Sequence, residues 1–147
     1  LVKVGRSVFP SFNVKMVLEI QKKMSDPKKV LYVEDTFENR MLIRRILQAD
    51  GFTVLEAESA RHALQVLETE TPDLILMDIN MPDMDGYTLT QQLREIPRLG
   101  QIPIIALTAN VMRGDRERTL AAGCDGYIQK PIDVDTFSDQ LNRYLER

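Results

Sequence analysis

The sequence is poor in the residues that build metal centres and redox sites. It holds one cysteine, Cys124, one histidine, His62, and no tryptophan in 147 residues. A lone cysteine excludes an intrachain disulfide and suits a reducing compartment. A lone histidine excludes a multi-histidine metal centre, and His62 is expected on an exposed helix face. Charge of one sign is also lacking: 19 basic and 22 acidic residues leave a net charge of −3. A surface built to grip a nucleic-acid backbone therefore has no global support. No apolar run approaches the ~20 residues of a membrane helix. Lys15 and Glu19 interrupt the apolar stretch near the N-terminus, so no secretory signal is expected. The composition is otherwise 44% hydrophobic and 28% charged, ordinary values for one globular domain.

The head of the chain differs from the rest. Residues 1–23 carry Lys3, Arg6, Lys15, Lys22 and Lys23 against the single acid Glu19, so the net negative charge lies wholly beyond Lys23. Met24-Ser-Asp-Pro reads like a natural start. Residues 1–27 are accordingly read as an N-terminal extension, either upstream sequence or an accessory segment, and 28–147 as the domain. Val14, Val17, Leu18 and Gln21 share one helical face, which predicts a short helix over about 13–24, packed on a partner or on the domain.

From Lys28 onward, strand and helix patterns alternate. Apolar runs at Val30–Val33, 73–77 and 103–107 are short and continuous, as in strands buried on both faces. Thr53–Ala57 and Gly126–Gln129 complete a set of five. Between them lie helical spacings at Phe37–Ala49, with Met41, Leu42, Ile46 and Leu47 inward, and at Ala60–Thr69 behind the N-cap Ser59. Further helices are predicted at Tyr87–Glu95, Arg113–Ala122 and up to Glu146. The last is capped by Asp133 or Asp135 and turns Phe137, Leu141 and Tyr144 or Leu145 inward. This alternation predicts a parallel sheet with helices on both faces, joined by right-handed crossovers.

The polar residues then fall where such folds do chemistry, beyond the carboxyl ends of the strands. Strand one ends in Glu34-Asp35, strand three in Asp78, strand four in Thr108 and strand five in Lys130. Three converging carboxylates repel unless a cation sits among them, and oxygen ligands suit Mg²⁺. A lysine and a hydroxyl at the same rim supply donors for an anion beside that metal. An aspartate can itself be the nucleophile, so the set points to phosphoryl chemistry on a carboxylate. Asp83 and Asp85 read as turn and cap residues, and Cys124 as a small filler in a loop.

Taken in order, Val-Leu-Tyr-Val-Glu34-Asp35, Leu-Met-Asp78-Ile-Asn-Met-Pro-Asp-Met-Asp-Gly86, Ile-Ala-Leu-Thr108-Ala109 and Gly-Tyr127-Ile-Gln-Lys130-Pro131 resemble the receiver domain of two-component response regulators. The nearest type is the single-domain regulator of chemotaxis or the cell cycle. The resemblance implies an α/β, flavodoxin-like (βα)5 three-layer sandwich with strand order 2-1-3-4-5. It implies that Asp78 is the phospho-acceptor. Asp35 and Asp78 would bind Mg²⁺ directly, Glu34 through water, and Asn80 through its backbone carbonyl. Lys130 would pair with the phosphoryl oxygens, Thr108 would bond to one of them, and Tyr127 would fill the space that Thr108 vacates as the switch turns. The Lys130–Pro131 bond resembles the family's cis peptide.

The implied partners are a histidine kinase or phosphotransfer protein as donor, met along the first domain helix at Thr36, Phe37, Asn39 and Arg40, and a downstream protein target. A cytoplasmic monomer or weak dimer is expected, with no nucleic-acid or membrane partner. It would not be an enzyme beyond catalysing its own phosphorylation and slow dephosphorylation. A haloacid-dehalogenase-type phosphatase would need an acid two residues past Asp78, where Asn80 stands. A flavodoxin-type cofactor binder would need a phosphate loop where Glu34-Asp35 would repel phosphate. The remaining alternatives are a receiver excised from a hybrid kinase or multidomain regulator, and a receiver-shaped binding module that works without phosphorylation.

Overall fold

The computed structural model describes residues 13–24, 26–109 and 114–146. Five strands form one parallel sheet: β1 Lys29–Val33, β2 Thr53–Ala57, β3 Leu74–Asp78, β4 Ile104–Thr108 and β5 Gly126–Gln129. Their order is β2-β1-β3-β4-β5, the flavodoxin-like order that the resemblance to receiver domains implies. Helices α1 Val14–Met24, α2 Phe37–Ala49, α3 Ala60–Thr69, α4 Gly86–Arg94, α5 Asp115–Ala121 and α6 Phe137–Leu145 complete the described elements.

Side chains on a strand alternate between faces, and the continuous apolar runs therefore feed two cores. Leu31, Val33, Ile75, Met77, Ile104 and Ala106 face one way and meet Ala63 and Leu67 of α3 and Leu89 and Leu93 of α4. Val30, Tyr32, Leu74, Leu76, Ile105 and Leu107 face the other way and meet Ile43 and Leu47 of α2 and Phe137 and Leu141 of α6. All residues of β3 and β4 are buried, whereas the middle of β2 is only half-buried, as befits a sheet edge. The interior strands β1 and β3 carry the acids.

Several local expectations hold, and some are corrected. Ser59 caps α3 by accepting a hydrogen bond from the His62 N–H at 3.0 Å, and Asp85 caps α4 through the Thr88 N–H at 2.9 Å. Neither Asp133 nor Asp135 caps α6. Thr136 holds the N-cap position without a side-chain bond, and Asp133 Oδ1 instead accepts from the Asp135 N–H. On α2 the buried face is Ile43, Ile46 and Leu47, and Leu42 is exposed. His62 is half-buried, and its Nδ1 accepts from the Glu58 N–H.

Helix α1 forms where predicted, but Val14 and Leu18 are 76% and 57% exposed. Residues 1–12 and Ser25 of the extension, and Arg113 of the predicted fifth-helix range, lie outside the described residues. Among the described residues no helix is long and apolar enough to cross a membrane.

Candidate functional site

Glu34 comes directly after β1, and its N–H donates to the Ala57 carbonyl of the neighbouring strand at 3.0 Å. That bond extends the ladder by one residue and buries an acid, leaving Glu34 only 1% exposed. Asp35, next in the chain, is exposed. Asp78 closes β3 and is 4% exposed. One carboxylate oxygen from each of Glu34, Asp35 and Asp78 lies within 4.8 Å of the others. The three acids predicted to converge do so.

The donors stand around them. The chain leaves β5 into Lys130, whose N–H donates to the Thr108 carbonyl at 2.8 Å. Its Nζ lies 3.6 Å from Asp78 Oδ1 and 3.8 Å from Glu34 Oε1. The next peptide bond, Lys130–Pro131, is cis. Thr108 ends β4 and is 6% exposed. Asn80 is exposed, and its N–H donates to Asp78 Oδ1 at 3.2 Å. Tyr127 is half-buried on β5, paired in register with Ala106, and packs against the core that holds α3 and α4.

Close approach behind Asp78 requires glycine. A Cβ on Gly86 would lie 2.7 Å from the Asp78 carbonyl oxygen and 2.9 Å from Met77 Cγ. Only a residue without a side chain lets the start of α4 sit against the strand that presents Asp78.

Two side chains expected to face a partner are turned into the site. Asn39 Nδ2 donates to Glu34 Oε1. Arg40 Nη1 donates to the carbonyls of Glu34 and Asp35 at 2.7 and 3.0 Å and so fixes the backbone of the acidic pair. Thr36 and Phe37 remain exposed beside them. The available signal was position: Asn39 and Arg40 lie in the first helical turn after the acids, close enough to reach back. Asp83 is a cap residue, as read from the sequence, but the helix it caps lies far upstream. Its carboxylate accepts from the Ala60 and Arg61 N–H groups, each at 3.3 Å, and ties the loop after Asp78 to the start of α3.

Glu34 is under electrostatic load. Burial, and next the hydrogen-bonded proximity of Asp78, push the Glu34 carboxyl up from 4.5 to about 7. Its second oxygen, Oε2, is buried and accepts no hydrogen bond. An unsatisfied buried carboxylate oxygen is costly, and a cation among the three acids would satisfy it. Hard oxygen donors, a nearby cationic Nζ and one orphaned lone pair fit a divalent ion such as Mg²⁺.

The chain resembles known proteins over most of its length. A family model described as the response regulator receiver domain matches residues 30–142. The polar-differentiation response regulator DivK of Brucella anthropi is 40% identical over 119 residues, covering 81% of this chain and 97% of that protein. Among solved structures, the receiver domain of a Pseudomonas aeruginosa sensor histidine kinase is similar, with a magnesium ion coordinated in its active-site cleft. It is 35% identical at a TM-score of 0.76, covering 82% of this chain and 99% of that one. The chemotaxis protein CheY4 of Vibrio cholerae aligns at a TM-score of 0.77 and 30% identity, over 80% of this chain and 98% of that one.

Proposed function

The chain belongs to the response regulator receiver domain family, and from that premise we propose that Asp78 takes a phosphoryl group from a phosphohistidine donor and thereby switches a protein-binding surface. The observation that carries this reading is the meeting of three carboxylates, one of them with an unpartnered buried oxygen, beside the Lys130 ammonium.

An Asp78 carboxylate oxygen attacks phosphorus in line. The P–O bond forms as the P–N bond to the donor histidine breaks, and the bonding pair stays on the imidazole nitrogen. Lys130 lies close enough to follow the negative charge onto the phosphoryl oxygens, where a preorganised cation is worth most. The Asn80 N–H holds Asp78 Oδ1 and orients the carboxylate. Asp35, Asp78 and the Asn80 carbonyl would hold Mg²⁺ directly, with Glu34 acting through water. Bound there, the metal would neutralise the acids and screen the incoming phosphoryl charge.

The product adds up to about two negative charges beside Lys130 and Thr108. The Thr108 hydroxyl then bonds a phosphoryl oxygen, Tyr127 fills the space behind it, and the surface around β5 is altered by a shift between two existing states. Apart from its own phosphorylation and slow dephosphorylation, the domain turns over no substrate. We read the chain as a cytoplasmic regulator that signals by protein contact; the likeness to a response regulator of polar differentiation supports the regulator part of that reading.

Phosphotransfer from a labelled histidine-phosphorylated protein tests the assignment. Label is expected on the wild-type chain and not on Asp78→Asn. Transfer to Asp78→Asn at the wild-type rate would place the acceptor elsewhere.

A further inference from the structure

The Tyr87 hydroxyl lies 3.2 Å from the Thr119 hydroxyl. Thr119 gives its own proton to the Asp115 carbonyl at 2.7 Å, so Tyr87 is the donor and the three groups form one directed chain. Hydrogen bonds in such chains strengthen one another. Thr119 is 1% exposed, which shields the bridge from water. The Arg118 guanidinium lies over the Tyr87 ring, 4.7 Å from its centre.

The position of this chain is what gives it consequence. Tyr87 is the second residue of α4, directly after the loop that leaves Asp78. Asp115 is the first residue of α5, the next described helix after Thr108. The elements downstream of the proposed acceptor and of the proposed switch hydroxyl are thus tied to each other by side chains that the chemistry at Asp78 does not use.

We propose that Tyr87 is a positioning residue whose bridge to Thr119 latches α4 to α5 in the unphosphorylated domain and so opposes the movement of Thr108 toward a phosphoryl group on Asp78. The latch rests on the acceptor role proposed for Asp78. A bridge made in one state and broken in the other biases that equilibrium by its whole strength, which for one neutral hydrogen bond is about two- to tenfold.

Tyr87→Phe removes the hydroxyl and keeps the ring beneath Arg118. The probe is beryllofluoride, a phosphoryl mimic, titrated in Mg²⁺ into the full chain, with urea unfolding measured alongside. Tyr87→Phe should bind beryllofluoride about fivefold more tightly than wild type. Thr119→Val should do the same, and the double variant should gain no more than either single one. A variant that loses stability at unchanged beryllofluoride affinity overturns the latch, because the bridge then persists in both states. A wild-type chain that binds no beryllofluoride overturns the acceptor reading, and the latch with it.

Discussion

Replacing Gly86 by alanine tests how the fold holds Asp78 in place. The new Cβ would meet the Asp78 carbonyl oxygen at 2.7 Å, Met77 Cγ at 2.9 Å and Ile79 Cα at 3.0 Å. Two of these neighbours are backbone at the end of a fully buried strand, and they cannot swing aside as a side-chain tip can. The Gly86 N–H also donates to the Ile79 carbonyl at 3.0 Å, so α4 is fastened at the point where it would have to retreat. Overpacking of this kind costs about 1–3 kcal/mol. Alanine is the better helix former by about 1 kcal/mol, which offsets part of that cost. The expected net loss is up to about 2 kcal/mol in urea unfolding, a large share of a domain's stability. Because relief comes by moving the Asp78 backbone, labelling by acetyl phosphate should slow about tenfold or more in the folded variant, given how steeply rates fall with misplacement. Gly100→Ala is the control. Its Cβ would meet nothing closer than the Arg94 carbonyl oxygen at 3.4 Å, and its effect should stay within about 0.5 kcal/mol. A Gly86→Ala protein as stable and as readily labelled as wild type would refute the claim that close approach of α4 sets the position of Asp78.

The same geometry predicts the effects of three other perturbations. Thr108→Ala should leave labelling of Asp78 largely intact and weaken the response of the downstream partner; equal loss of labelling in Thr108→Ala and Asp78→Asn would show that the two residues do not divide the work. Glu34 must shed its proton to join a metal site, and its carboxyl is pushed up to about 7, so calorimetry should find Mg²⁺ bound about tenfold more weakly near pH 6 than near pH 8. In the metal-free protein the sign reverses. The stability that a raised carboxyl provides is full below about 4.5 and is lost as pH climbs through about 7, so a metal-free stability that rises over this window would contradict the shift. Arg94 donates to the Gly123, Gly100 and Ile102 carbonyls at 2.8, 3.1 and 2.6 Å and to Asp125 Oδ2 at 2.6 Å. Arg94→Ala should therefore cost about 2–4 kcal/mol in urea unfolding, and a loss under about 0.5 kcal/mol would show the clamp to be idle.

The strands were legible because burial on both faces leaves an unbroken apolar signature, and the candidate acids were legible because each stands at the end of such a run. Helix caps made by a residue's own helix were equally readable, as at Ser59 and Asp85. What escaped was tertiary. The spacing on α2 allows a face through Leu42 or through Ile43, and only the packing of Ile43 beneath β1 and β3 decides between them. Asp83 caps a helix more than twenty residues upstream, a pairing with no local pattern. Asn39 and Arg40 have the polarity of surface residues. Their inward turn depends on a buried Glu34 and on bare loop carbonyls, which exist only once the sheet is formed.

Phosphoryl capture by Asp78 is tested most directly by the intact mass of the folded chain after incubation with acetyl phosphate, with and without Mg²⁺. The expected result is a gain of one phosphoryl group that requires the metal, is cleaved by hydroxylamine and is absent in Asp78→Asn. A folded wild-type chain that gains no mass with donor and metal in excess, or an Asp78→Asn chain that gains the same mass, would contradict that role.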